Sequence, residues 1–176
     1  MTLDQKIQIW NAVGTWLAGI ATFTAVVVSL YIALRSDRVR LKIHAGLRVF
    51  IIGDGTPAQD MVEIGVTNLG ERPVTITGVG WAVGRGKNKR YCLQNVSGRY
   101  TNDYPIEISH GKSASFQVLF SSTPNWLHDF SNNFIASGGE SISTLVAMVH
   151  TSVGQSIEVK AEGNLMERLL EVRTPK

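Results

Sequence analysis

Leu41-Lys42-Ile43-His44-Ala45-Gly46-Leu47-Arg48-Val49-Phe50-Ile51 decides how this 176-residue chain is read. Leu41, Ile43, Ala45, Leu47, Val49 and Ile51 alternate with Lys42, His44, Gly46 and Arg48. Successive side chains of a strand point to opposite faces, so a period of two predicts a long strand with one buried face. Gly53-Asp54-Gly55-Thr56-Pro57 then breaks the rhythm with residues that favour turns.

Towards the C-terminus the same period returns repeatedly. Val62, Ile64 and Val66 alternate up to Asn68-Leu69-Gly70-Glu71-Arg72-Pro73, a turn punctuated by Gly and Pro. Val74 and Ile76 continue, the phase slips near Gly78, and Val79, Trp81 and Val83 take over, which predicts a bulge. Gly84-Arg85-Gly86-Lys87-Asn88 is a basic turn before a short strand near Tyr91–Val96. Ile106–Ile108 and Phe116, Val118, Phe120 follow, separated by a turn at His110-Gly111-Lys112. Trp126, Leu127, Phe130, Phe134 and Ile135 are spaced as a short amphipathic helix that caps a sheet. Leu145–Thr151 and Ser156–Ala161 form a hairpin pattern. Asn164 with Glu167 is placed as a capping box, and Leu165, Met166, Leu169 and Leu170 as the apolar stripe of a last helix.

Towards the N-terminus lies a run of another kind. Ile7–Leu34 contains no Asp, Glu, Lys, Arg or His. A helix needs ~20 apolar residues to cross a bilayer, and this run is longer. Trp10 and Trp16 stand near one end and Tyr31 near the other, where amphipathic rings favour the headgroup level. A cleaved signal peptide has a shorter apolar core and a small-residue cleavage site, and a soluble core helix rarely runs so far without charge. The expectation is therefore a transmembrane helix over 7–34, after a short tail over 1–6. Arg35, Arg38, Arg40 and Lys42 follow it in a basic segment over 35–42, positioned to meet lipid headgroups. Excess Lys and Arg stays on the cytoplasmic side, which places the domain over 43–176 in the cytoplasm and the chain in an inner membrane. Cys92 is the single cysteine, consistent with a reducing compartment, and the Asn95-Val96-Ser97 sequon is set aside for the same reason. Gly14, Ala18, Ala21, Ala25, Ser29 and Ala33 recur every three or four residues, a small-residue face on which helices can approach closely. The same residues are also common in any span.

The formal charge is +3 and the pI about 9.2, with much of the surplus in the basic segment, so nucleic acid is not the expected partner. Motifs that carry chemistry are scarce. His44, His110, His128 and His150 form no HExxH or related ligand pattern, so neither metal nor cofactor is expected. The glycines at 78–80 and 84–86 sit between strands and continue into no phosphate-binding fingerprint. Asp54, Asp60 and Glu63 cluster near one turn, where Asp commonly makes local hydrogen bonds. His128-Asp129 is the one adjacent His–carboxylate pair, read as a polar turn rather than a hydrolase, and Cys92 as a structural thiol. Arg85, Lys87, Lys89 and Arg90 beside Tyr91 are the candidate contact for a phosphate-bearing small ligand, with a solvated turn as the plainer reading.

Two stretches carry a resemblance. Val66-Thr67-Asn68-Leu69-Gly70-Glu71-Arg72-Pro73-Val74-Thr75-Ile76, followed by Ile108-Ser109-His110-Gly111-Lys112-Ser113-Ala114-Ser115-Phe116, resembles immunoglobulin-like sandwiches of bacterial envelope and membrane-anchored proteins. His110 stands where such domains often carry Pro. The resemblance implies a mainly β fold, an immunoglobulin-like β-sandwich or small barrel with short helices, and an adhesion or interaction role without catalytic residues. The expected function is a non-enzymatic interaction or ligand-sensing domain held at the membrane, with a protein partner or a second copy of itself. The alternative is an oligomerising membrane effector. In layout the chain is similar to short-anchor β-domain effectors of bacterial antiphage defence, some of which sense cyclic nucleotides.

Overall fold

The computed structural model describes residues 2–36, 38–51, 53, 58–96, 101–136 and 141–173, with only the backbone of 34–36. It divides into two units, Met1–Arg38 and Val39–Lys176.

The first unit is one helix, α1 (Leu3–Ser36). Its Leu3–Ala33 stretch is long and apolar enough to cross a membrane, with a mean hydropathy of 1.9. At ~1.5 Å per residue the helix outreaches the ~30 Å hydrocarbon layer. The Thr15, Thr22 and Thr24 hydroxyls donate to the carbonyls of Asn11, Ala18 and Ile20, four residues back. These three hydroxyls are thus satisfied within the helix, which is what an apolar solvent demands.

The second unit is built from antiparallel sheets. In the first, β1 (Leu41–Phe50), β2 (Gln59–Asn68) and β6 (Ser113–Leu119) lie in the order β1-β2-β6. In the second, β4 (Arg90–Leu93), β3 (Val74–Val83), β7 (Val146–Thr151) and β8 (Ser156–Lys160) follow in that order. β5 (Ile106–Ile108) shares the β4 edge of β3. One core takes Val62, Ile64, Val66 and Phe116 from the first sheet and Ile76, Val79, Trp81 and Val149 from the second. Each such side chain contributes ~1.5–3 kcal/mol relative to leaving it in water. The helical pieces described in this unit include α2 (Trp126–Asp129), a π-helix over Phe130–Ile135, α3 (Gly163–Glu171), and 3-10 turns at Gly86–Asn88 and Ile142–Thr144.

The phase slip near Gly78 is a bulge, a register shift between Ile76 and Gly78 in the β3–β7 pairing. The turn at Asn68 is more than punctuation. Asn68 is fully buried, donates through Nδ2 to the carbonyls of Arg72 and Ile108, and accepts from the Gly70 amide. His110 meets the Gly70 carbonyl at 3.0 Å, so the two turns behind the immunoglobulin-like resemblance are bonded to each other.

Some expectations need correction. Val49 and Ile51 are exposed, because β6 pairs with β2 only from Met61 to Thr67 and the β1–β2 ribbon runs past the body of the sheet. Tyr91–Val96 is strand only through Leu93. Asn164 is not the N-cap of α3. Glu162 holds that position, and Asn164 lies inside the first turn, where it exchanges hydrogen bonds with both backbone groups of Leu47. Leu170 is half-exposed, while Leu165 and Leu169 are fully buried. The turn residues Asp54–Pro57, Asp54 of the acidic cluster, Ser97 of the sequon and the Arg35 side chain lie outside the described residues.

Candidate ligand-binding groove

The basic turn does not hold four convergent cations. Lys89 meets the Glu158 carboxylate at 2.6 Å and lies over the Tyr91 ring. Arg90 donates to the Phe134 carbonyl at 2.9 Å, its guanidinium 5.7 Å from the centre of that ring. Arg85 and Lys87 are exposed around a short 3-10 turn. The geometry therefore splits the group: two cations serve the fold and two face solvent.

Arg90 leads instead to a feature that the sequence reading did not assemble. Thr123, Pro124, Asn125, Trp126, Asp129, Phe130, Asn133 and Phe134 line an open groove of about 540 Å3. Three of its lining residues are aromatic. Trp126 and Phe130 stack at 4.5 Å and 12°, and Phe134 follows 5.2 Å from Phe130. The Trp126 and Trp81 indoles both donate to Gln94 Oε1, at 3.2 and 3.1 Å. Trp81 is fully buried, so this shared acceptor ties the groove wall to the core. From the other side Ser131 donates to the Leu169 carbonyl of α3, and Thr123 to the carbonyl of Leu119 at the end of β6. A π-helical turn is uncommon and is found disproportionately at functional sites.

Two side-chain stripes make the groove. Trp126, Phe130 and Phe134 recur every four residues, as do Asn125, Asp129 and Asn133 beside them. The aromatic spacing was legible as a sheet-capping helix; the amide and carboxylate stripe is the signal that would have disclosed a lined groove. Asp129 is the sole charged residue among the lining residues described. Its carboxylate lies 3.4 Å from Asn133 Nδ2 and 3.5 Å from the His128 ring. His128 and Asp129 are both largely exposed, on a single helical turn.

A second polar assembly covers the solvent face of the first sheet. Arg48 donates to both oxygens of Glu162, at 2.7 and 2.8 Å, and approaches Glu63 at 3.5 Å. Glu63 accepts from Ser115 at 2.5 Å and meets His44 at 3.6 Å. The carboxylate stands between serine and histidine, so it stabilises both and links neither to the other as nucleophile and base. The hydrogen bonds from Arg48 hold the Glu162 carboxyl below its ordinary range. Burial pushes the Cys92 thiol up to about 11, which keeps it protonated near neutral pH.

On α1, Gly14, Ala18, Ala21, Ala25, Ser29 and Ala33 are exposed on the helix surface. The basic segment expected over 35–42 is shared between the units: Arg38 ends the first, and Arg40 and Lys42 belong to the second. The Arg40 carbonyl accepts from the amides of Leu69 and Gly70, while the side chains of Arg38, Arg40 and Lys42 reach solvent.

No protein family and no curated protein matches the chain. Two solved structures are similar to it at low identity. One is an uncharacterised structural-genomics protein from Bordetella pertussis described as ApaA, 11% identical over 70% of this chain and 89% of that one, with a TM-score of 0.33. The other is a second structural-genomics target, 10% identical over 71% of this chain and 81% of that one, with a TM-score of 0.26. Likenesses this distant assign neither family nor activity.

Proposed function

We propose that this chain is a single-pass, membrane-anchored binding protein without catalytic activity. Its β unit is an immunoglobulin-like sandwich on the cytoplasmic side of an inner membrane, and it receives a small ligand in the groove over Thr123–Phe134. The groove is the observation that carries this reading: an open groove lined by three aromatic residues, two amides and one carboxylate, on elements pinned to the core. Preformed apolar hollows with a few placed polar groups are the usual form of a ligand site. The anchor reading rests on α1, whose apolar side chains are exposed along its length. The orientation rests on the cations that follow it. The sandwich reading rests on two antiparallel sheets contributing to one core and on the bonded turns at Gly70 and His110. Arg40 and Lys42 supply headgroup contacts, and the small-residue face of α1 supplies a surface for a second copy.

The test is a thermal-shift screen of small molecules against the full chain in maltoside micelles. Stabilising compounds are expected, and their effect should vanish in Phe134→Ser. Compounds that stabilise both proteins equally would place the ligand elsewhere.

A further inference from the structure

We propose that the end of the β unit at which β1 begins docks on the surface of an anionic bilayer, an inference that rests on reading α1 as the anchor. Three turns meet at this end: β2 to β3, β5 to β6 and β7 to β8. The strand register brings them together, since Leu41 pairs with Asn68, Thr67 with Ser113, Val74 with Ile108 and Ile76 with Thr151. Hydrogen bonds then fix them. The Leu69 and Gly70 amides donate to the Arg40 carbonyl, the Asn68 amide to the Lys112 carbonyl at 3.0 Å, and the Ser152 amide to the Thr75 carbonyl at 2.9 Å. The surface is therefore preformed, and docking orders little new backbone.

Its exposed charges are Arg40, Lys42, Arg72 and Lys112 against Glu71, with Glu107 further back on β5. Arg40, Lys42 and Lys112 stand in no ion pair among the described residues, whereas Arg48, Lys89 and Arg168 are each held by a glutamate. Two of the turns also expose apolar side chains where polar ones are usual: Leu69 is 48% exposed and Val153 65%. Cations that attract anionic headgroups, beside apolar tips that bury in the interface, are the two parts of a bilayer-binding surface. Only residues 37–40 separate Ser36, the last of α1, from Leu41, so a chain leaving the bilayer enters the β unit at this end. An acidic soluble partner matches the cations but not their place directly after a span.

The test places the full chain in nanodiscs with the environment-sensitive dye NBD on one introduced cysteine. Val153→Cys reports on the proposed surface, and Lys87→Cys, in the exposed turn between β3 and β4, on the opposite end. The unsubstituted chain, labelled in parallel, gives the background from Cys92. Co-elution with the discs is read first: chain that elutes without them would sink the anchor itself. In discs of equal parts phosphatidylglycerol and phosphatidylcholine, the Val153 label should shift to the blue and be quenched by doxyl lipid, and the Lys87 label should not. Lys42→Gln with Lys112→Gln, both at exposed side chains, should lower the ratio of docked to undocked chain by about tenfold or more. Chain in discs with an unshifted Val153 label would overturn the docking alone and leave the cations to an acidic soluble partner. An equal shift in discs of phosphatidylcholine only would also overturn it, by showing apolar contact with neutral lipid or a second copy. Equal shifts at both label positions would overturn the choice of this end.

Discussion

Arg48 and Glu162, 114 residues apart in sequence, meet as a two-point ion pair that fastens the start of α3 to β1. Glu162 also sits where Gly46 leaves room, since a Cβ at Gly46 would fall 2.3 Å from its Oε2. The Glu162 amide donates to the Ala45 carbonyl, so backbone and side chain close the same joint.

That joint gives a pH dependence with a definite sign. The folded carboxyl of Glu162 titrates below its ordinary 4.5. Its contribution is therefore present above 4.5 and is lost as the pH falls through the depressed folded value. Both side chains are about a third exposed, so solvent screening limits the pair to roughly 1 kcal/mol. Urea unfolding of Glu162→Gln should show that loss at pH 7 and a shallower decline than the unsubstituted protein below pH ~4.5.

Asn68 should be the least replaceable polar residue of the sheets. Its side chain makes three hydrogen bonds to backbone groups from a fully buried position. Asn68→Ala leaves those groups without partners, and the expected cost is about 3 kcal/mol, read from the urea midpoint.

Two glycines of β3 separate backbone fit from mere smallness. A Cβ at Gly80 would stand 2.4 Å from the carbonyl oxygen of Cys92, and backbone on a paired strand cannot swing aside. At Gly78 no heavy atom lies within 4 Å of a Cβ. Gly80→Ala is expected to cost about 2 kcal/mol and Gly78→Ala close to nothing, by thermal unfolding.

Cys92 should react slowly. A thiol raised to about 11 from an ordinary 9.0 has about a hundredfold less thiolate near pH 8. Alkylation with iodoacetamide, followed by mass spectrometry, should be correspondingly slow at pH 8 and accelerate through pH 10.

The sequence makes the strands legible where one face is buried and the other wet, as at Val62–Val66 and Phe116–Val118. The bulge at Gly78 shows in the same way, because a shifted register must shift the alternation. Val49 and Ile51 mislead, since alternation marks a strand but not how far the sheet beneath it extends. The groove was half legible. Trp126, Phe130 and Phe134 announce an apolar stripe, but that Arg90 joins them and leaves the basic turn is a long-range pairing that local spacing does not encode. The ion pair of Arg48 with Glu162 is hidden for the same reason.

The central claim is that α1 anchors a cytoplasmic β unit, and protease access tests it most directly. The full chain, carrying a C-terminal epitope, is expressed in bacteria and treated in right-side-out and inverted inner-membrane vesicles. The account predicts membrane association that survives alkaline carbonate, with the epitope protected in right-side-out vesicles and digested in inverted ones. Release by carbonate would contradict the anchor, and digestion from the outside would contradict the orientation.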